Sequence, residues 1–203
     1  MTRRVRLLVG TTNQSKLREI RRLLHEVPCE LTGLDTFPSV RDPEETGDSF
    51  EANARIKALA YAGSSGLMTV AEDSGLVVDA LGGAPGIHSA RYLGTTASYS
   101  NRFDAILSAL RARPEQPRSA RFVCALAVAN GEQLLFEARG TLEGEIAQAP
   151  AGTNGFGYDP IFLVPEMGCT TAELDEAEKL TIAHRGKAFR IFSHWLTAYL
   201  GTG

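Results

Sequence analysis

The segment of this chain that says most about its chemistry is a glycine-rich loop, Gly152 to Pro160, which contains one aromatic ring and one carboxylate. Glycines let backbone amides approach a ligand closely and adopt positive φ angles. The ring of Phe156 could stack on a flat group, and the carboxylate of Asp159 could accept a hydrogen bond from it. The loop predicts a nucleobase pocket; the alternative is a glycine-rich hairpin loop around a buried Phe.

A second polar segment lies between a predicted strand and a predicted helix. Its residues are Thr11, Thr12, Asn13, Gln14, Ser15 and Lys16. At such a junction, free amides and the positive end of the helix dipole would face an anion beside the Lys16 ammonium, which predicts a phosphate site. It is not a Walker A loop, because Ser15 replaces the glycine before the lysine and Leu17 replaces the following Ser or Thr. A polar loop in which Asn13 or Ser15 caps the helix is the alternative.

Two acidic pairs, Glu44-Glu45 and Glu72-Asp73, could supply ligands for a cation. Hard cations such as Mg²⁺ take oxygen ligands and bind where one or two carboxylates meet substrate phosphates. Glu72 and Asp73 follow an apolar segment, Met68 to Ala71, so we expect them at the end of a buried strand. The pairs together predict a Mg²⁺ site, whereas Glu44-Glu45 alone would also suit a solvated turn.

Further along the chain, Lys179 precedes the dipeptide His184-Arg185. By composition alone this dipeptide could be an exposed pair without a role. The GxSxG, HExxH and GxGxxG motifs are absent from the sequence, and the four histidines show no metal-ligand spacing. These absences disfavour a serine hydrolase and a dinucleotide enzyme.

With 43% of its residues hydrophobic and 22% charged, the chain can bury a full core in one domain or in two lobes. No shift in composition separates independent domains, so we expect a single domain over residues 1–203. A net charge of -3 gives no general attraction to nucleic acid, so we expect a small-molecule ligand and no nucleic-acid partner. The three cysteines lack a CxxC spacing and suggest neither a disulfide framework nor a zinc site. The apolar segment Val5 to Val9 is too short for a signal peptide or a membrane span, so we expect a cytoplasmic protein.

Periodicity predicts the elements that position these residues. Arg6 to Val9 is typical of a buried strand, and Leu17 to Leu24 has helical spacing. A second helix is predicted from Ser49 to Ala62, with Asp48 as its N-cap. Two more helices are predicted around Phe103 to Leu110 and Ala188 to Tyr199.

The remaining strands are predicted in the second half of the chain. Ala120 to Ala129 and Gln133 to Gly140 form a predicted hairpin with a type I′ turn at Asn130-Gly131. Glu143 to Ala149 and Ile161 to Val164 are predicted as further strands. The sum predicts a mixed α/β protein with a substantial antiparallel component.

Together, these segments resemble the Ham1/RdgB family of pyrophosphatases that act on non-standard purine nucleoside triphosphates, also called inosine triphosphatases or dITP/XTP pyrophosphatases. The resemblance spans nearly the whole chain. It depends on these segments, in this order: Thr12-Asn13 through Lys16 and Glu19, Glu44-Glu45-Thr46-Gly47 with Phe50 to Lys57, Glu72-Asp73-Ser74-Gly75, Gly82-Gly83-Ala84-Pro85-Gly86-Ile87, Gly155-Phe156-Gly157-Tyr158-Asp159-Pro160-Ile161-Phe162, and His184-Arg185-Gly186.

The resemblance implies cleavage of ITP, dITP and XTP to monophosphate and pyrophosphate, which cleanses the nucleotide pool of bases that would enter DNA and RNA. It implies Mg²⁺ as cofactor, a homodimer, and an elongated mixed α/β sheet with flanking helices and two lobes around a central cleft. It assigns triphosphate contacts to Thr11 through Lys16 and to Lys57. Metal ligation falls to Glu45 and Glu72, with Asp73 as the base that activates water and as a metal neighbour. It assigns base and sugar contacts to Ser74, Phe156, Gly157, Tyr158, Asp159, Lys179, His184 and Arg185.

Three positions depart from the family pattern: Thr12 replaces a common Gly, Glu72 a first Asp, and Ala183 a Ser. Glu in place of Asp keeps an oxygen ligand on a longer arm, so this change affects the metal geometry more than the chemistry. A Maf-type nucleotide pyrophosphatase is the nearest alternative, and the His184-Arg185 dipeptide and the Phe156 loop argue against it. A nucleotide-binding sensor without turnover is an alternative from another class.

Overall fold

The protein is a mixed α/β fold with one seven-stranded sheet and flanking helices, described by a computed structural model over residues 5–201. The strands are β1 (Val5–Val9), β2 (Cys29–Gly33), β3 (Met68–Val78), β4 (Ser119–Asn130), β5 (Gln133–Ile146), β6 (Phe162–Val164) and β7 (Cys169–Thr170). The helices are α1 (Gln14–Leu23), α2 (Phe50–Ser65), α3 (Tyr99–Arg111), α4 (Glu176–Ile182) and α5 (His184–Gly201). Short 3-10 helices occupy Leu34–Thr36, Asp79–Leu81, Gly86–Arg91 and Asp159–Ile161.

The sheet mixes parallel and antiparallel pairs in the order β2-β1-β3-β4-β5-β6-β7. β1 is parallel to both β2 and β3, while β6 is antiparallel to β5 and β7. The predicted α/β class is confirmed. None of the helices within residues 5–201 is long and apolar enough to cross a membrane.

The chain divides into two compact units, each with its own core. Within residues 5–201, the first unit consists of residues 5–73, 124–140 and 185–201. The second consists of Ser74–Val123 and Thr141–His184.

The first unit's core positions the polar segment that follows β1. Leu7 pairs with Leu31 of β2 and Met68 of β3, and its side chain is fully buried. At the end of β1, the Gly10 amide donates to the Val70 carbonyl at 2.8 Å, and the chain then turns into α1. Because α1 buries Leu17 among the same core residues, its first turn is held at the carboxyl ends of the parallel strands.

The second unit's core forms around stacked aromatic rings. The rings of Phe122 and Phe162 stack with centroids 4.3 Å apart, and α3 adds Ile106 and Leu110 to the same cluster. Tyr158 is buried in this cluster, so the glycine-rich loop before it is tied to the core at its end.

Two predicted boundaries were wrong in the first half of the chain. The N-cap of α2 is Ser49, whose side chain accepts from the Ala52 amide, and not Asp48. β3 does not end at Ala71 but continues through Glu72 and Asp73 to Val78. The change from apolar to acidic residues predicted the end of the strand at this point. Both carboxylates are buried and have partners of opposite charge, so the acidic pair can lie inside the strand.

Two predictions about the hairpin were also wrong. The turn is formed by Gly131 and Glu132 and not by Asn130-Gly131. Glu132 does not have a positive φ, because Leu93 is the one non-glycine residue within residues 5–201 that does. Type I′ requires positive φ at both turn positions, and Gly131 has it, at 58°, whereas Glu132 does not. The strand predicted at Glu143 to Ala149 is the continuation of β5, which ends at Ile146.

Gly144 of β5 allows the close approach of β6, so a single methyl group should disrupt their packing. In Gly144→Ala the new Cβ would collide with the Leu163 carbonyl and lie 2.7 Å from the Phe162 ring, which should lower the free energy of unfolding by about 1–3 kcal/mol. Gly63→Ala in α2 is the matched control, because its Cβ would enter open space and favour the helix by about 1 kcal/mol. Urea denaturation of both variants measures the difference; a neutral Gly144→Ala would contradict the close packing.

Candidate functional site

The segment Thr11 to Lys16 forms the turn between β1 and α1, as predicted. The side chain of Asn13 caps α1 by accepting from the amides of Ser15 and Lys16 at 3.0 and 3.1 Å. These two amides are therefore engaged by the cap. An anion at this turn would be met by the Lys16 ammonium and the hydroxyl groups of the segment rather than by those amides.

Asp42 supports the same turn, a role that sequence analysis missed. Its two carboxylate oxygens accept from the Thr12 hydroxyl at 3.2 Å and from the Tyr61 hydroxyl at 2.8 Å. Tyr61 lies in α2, so Asp42 links the turn to that helix. No local pattern could have indicated it, because the partners are 30 and 19 positions away.

Lys57 of α2 joins the two acidic segments that the sequence singled out. Its ammonium donates to Glu45 Oε1 at 2.8 Å and to Asp73 Oδ1 at 3.0 Å. Burial lowers the pKa of Lys57, but the charges of Asp73 and Glu45 outweigh this and raise it. Burial raises the pKa of Asp73 against the opposing charge of Lys57.

Asn53 fixes this arrangement from one helical turn earlier. Its Nδ2 donates to Asp73 Oδ2 at 3.3 Å, and its Oδ1 accepts from the Gly47 amide at 2.8 Å. Asn53 and Lys57 are four residues apart, so both side chains project from one face of α2. The fully buried Asn53 thus ties Asp73 to the segment that carries Glu45.

Glu72 lies at the centre of a buried set of charges. Its Oε1 accepts from Lys16 Nζ at 3.0 Å and from the Arg185 Nη2 at 3.1 Å, and its Oε2 accepts from the Cys124 thiol at 3.5 Å. Arg185 Nη1 also donates to Glu19 at 2.6 Å. Burial would raise the pKa of Glu72, yet the charges of Arg185 and Lys16 hold it well below its usual range. The set thus contains two carboxylates, of Glu19 and Glu72, and two cations, of Lys16 and Arg185.

The donor set of Glu45 and Asp73 fits Mg²⁺. Oxygens of these two carboxylates converge on one cationic nitrogen, that of Lys57. No group of three or more metal-ligating side chains occurs within residues 5–201. Mg²⁺ does not require such a cage, because it binds through one or two carboxylates, substrate phosphates and water. Glu72, by contrast, already accepts from Lys16, Arg185 and Cys124, so it fits this role less well.

The glycine-rich loop in the second unit is organised by Asp159. This buried carboxylate accepts from the Phe156 amide at 2.7 Å, from the Thr171 hydroxyl at 2.9 Å and from Lys179 Nζ at 2.6 Å. The Lys179 ammonium lies 4.9 Å from the centre of the Phe156 ring. A half-buried aromatic face and a lysine nitrogen therefore occur together in this loop.

The other residues predicted to contact the base and sugar have varied surroundings in the second unit. The Tyr158 hydroxyl donates to the Ser89 carbonyl at 2.9 Å, so this side chain anchors the loop. His184 is buried and stacks on Phe122, with centroids 4.9 Å apart. Ser74 is half-buried, and Gly157 has a φ of 66°.

The structure thus brings the predicted residues together in two sets. The first unit contains Lys16, Glu45, Lys57, Glu72, Asp73 and Arg185, and the second contains Phe156, Asp159 and Lys179. The hypothesis that Arg185 contacts the base stays a prediction. Its side chain is 2% exposed, and its guanidinium binds Glu19 and Glu72, contacts that local sequence could not indicate.

Removing Arg185 should take away the buried guanidinium that binds both Glu19 and Glu72. We expect Arg185→Ala to lower the free energy of unfolding by about 3–5 kcal/mol, the cost of breaking a buried ion pair. Arg55→Ala is the matched control, because Arg55 binds Glu137 at 2.6 Å with both side chains substantially exposed, and it should change stability little. Denaturant unfolding of both variants tests this; equal effects would contradict the burial argument.

Similar proteins share both the sequence and the fold. The model of the Ham1 family matches residues 7–195. The dITP/XTP pyrophosphatases of Symbiobacterium thermophilum and Prochlorococcus marinus are 48% and 44% identical over 98% of this chain and 98% and 97% of theirs. The solved structure of a HAM1 protein from Coxiella burnetii is 44% identical, with a TM-score of 0.89 over 96% of this chain and 99% of that one. Given this full-length agreement, the chain belongs to the Ham1 family.

Proposed function

We propose that this protein hydrolyses ITP, dITP and XTP to the nucleoside monophosphate and pyrophosphate, and so cleanses the nucleotide pool. The names of its relatives support a dITP/XTP pyrophosphatase. The observation that carries the proposal is the Lys57 ammonium held between Glu45 and Asp73, in the same unit as Lys16. Hydrolysis of a phosphoanhydride needs mainly positioning and charge stabilisation, for which lysines and carboxylates are the required groups.

Lys16 and Lys57 are the proposed triphosphate contacts. Both ammonium groups are paired with carboxylates in the structure. When Lys57 turns toward phosphate oxygens, Glu45 and Asp73 lose part of their compensating charge. Mg²⁺, held by Glu45 and Asp73, would restore that charge and make a nearby water more acidic.

Asp73 is the proposed base. Asn53 Nδ2 donates to its Oδ2, and this hydrogen bond does not depend on Lys57, which is assigned to the phosphates. A fixed carboxylate can accept the proton of an attacking water at a defined position.

Recognition of the base is proposed for the glycine-rich loop. The Phe156 ring would stack on any purine without selecting among them. Inosine and xanthine carry a 6-keto acceptor, which suits a donor such as Lys179, whereas adenine carries an amino group at that position. A polar site can reject a ligand with the opposite pattern by roughly 10⁴-fold. We also propose that the enzyme is a homodimer and acts in the cytoplasm. Light scattering of the purified protein would test the homodimer.

A pyrophosphate-release assay with ITP, dITP, XTP, GTP and ATP, with and without Mg²⁺, tests the function. We expect Mg²⁺-dependent release from the first three at rates on the order of 10²-fold or more above ATP. Equal rates on ATP and ITP would contradict the proposal. Tight binding of ITP without release would favour a nucleotide sensor instead.

A pair of variants separates the proposed roles of the two carboxylates. Glu45→Gln should raise the Mg²⁺ concentration needed for half-maximal rate, because an amide is a weaker ligand for a hard cation. Asp73→Asn should lower turnover by on the order of 10²-fold, because the proton acceptor is lost. Saturating Mg²⁺ should not restore the turnover of this variant. Glu44→Gln, at the exposed neighbouring position, is the control and should behave as wild type. An unshifted Mg²⁺ titration in Glu45→Gln, or near-normal turnover in Asp73→Asn, would remove the respective assignment.

A further inference from the structure

Phe156 lies between two glycines with positive φ, Gly155 at 75° and Gly157 at 66°. The backbone is least restricted at such positions, so the ring's location depends on what packs against each side of the loop. The Gly155 side is closed by Asp159, since a Cβ there would collide with the carboxylate. The Gly157 side is followed by the buried Tyr158, so it depends on what packs against that ring.

Tyr99, the first residue of α3, faces the Gly157 side. A Cβ at Gly157 would lie 3.7 Å from the Tyr99 hydroxyl oxygen and 3.9 Å from two ring carbons, so this ring is a near neighbour of the glycine. The Tyr99 ring also meets the next residue, Tyr158, edge to face with centroids 5.4 Å apart. Tyr99 therefore packs against the end of the loop, where the chain after Phe156 returns to the core at Tyr158.

Arg102 holds the Tyr99 ring in place from the next turn of α3. Its guanidinium carbon lies 4.8 Å from the ring centroid. The side chain is buried, and it donates to the carbonyls of Tyr92 at 2.9 Å and Gly94 at 3.2 Å. A guanidinium fixed by two backbone carbonyls gives the ring a rigid support. Tyr99 itself is 39% exposed, so core burial alone does not fix it.

We propose that Tyr99, supported by Arg102, is a positioning residue that holds the Phe156 loop in the conformation that stacks on the nucleobase. The inference rests on the proposed function of this loop. Its consequence is selective: Tyr99 should affect affinity for the base and not contacts to the phosphates, which are assigned to Lys16 and Lys57.

Steady-state kinetics test this with a matched set of variants. Tyr99→Ala should raise KM for ITP about 5- to 10-fold, with kcat within about 2-fold of wild type, because the loop must be ordered during binding. Tyr99→Phe keeps the ring and should restore the wild-type KM. Inhibition by tripolyphosphate, which has no base, should be unchanged. Tyr199→Ala, at a tyrosine of similar exposure in α5, is the control and should not change KM.

Hydrogen exchange measures the loop without relying on turnover. The Phe156 amide donates to Asp159, so its exchange reports opening of the loop. Exchange in the peptide covering residues 152–158 should be faster in Tyr99→Ala and Arg102→Met, while the hairpin turn at Gly131 stays as in wild type. Unchanged exchange and KM in Tyr99→Ala, or equal losses for ITP and tripolyphosphate, would overturn the proposal. A wild-type protein that releases no pyrophosphate would instead contradict the proposed function and leave the exchange test valid.

Discussion

Neutralisation of buried carboxylates is the constraint on which the first unit depends. Glu19, Glu72 and Asp73 are all less than a tenth exposed. Each such charge costs several kcal/mol to remove from water unless a cation and hydrogen bonds compensate it. Arg185 and Lys16 supply that compensation for Glu72, and Lys57 supplies it for Asp73. The elements that carry these side chains must therefore assemble together, which couples the first turn of α1, the middle of α2, β3 and the start of α5.

The same constraint gives the proposed active site its chemistry. A set of buried charges that is balanced without ligand is sensitive to a new anion, because phosphate oxygens compete with carboxylates for Lys16 and Lys57. Asn53 limits how far Asp73 can move in response, because its Nδ2 donates to Asp73 Oδ2 independently of Lys57. Charge balance and fixed geometry thus come from the same side chains.

In the second unit, an aromatic ring, that of Phe156, lies on a loop with a glycine on each side and must be held there by other contacts. Asp159 does this from within, by accepting from the Phe156 amide, Thr171 and Lys179. Because three donors converge on one buried carboxylate, a change at any of them would alter the surroundings of the Phe156 ring. The position of the ring thus depends on the polar contacts of Asp159 as well as on packing.

The sequence by itself determined the features that depend on local order: the α/β class, the helix α5, a polar cap for α1 at Asn13 or Ser15, and the glycine-rich loop. The prediction from sequence was wrong about the end of β3, because the acidic residues suggested that the strand stops there. The strand continues because cations from other elements neutralise these residues. Nothing in the sequence indicated the short strands β2 and β7. Only the tertiary structure decided the surroundings of Arg185, whose partners Glu72 and Glu19 are 113 and 166 positions away. Periodicity and motifs report neighbours along the chain, whereas buried ion pairs depend on which distant elements the cores bring together.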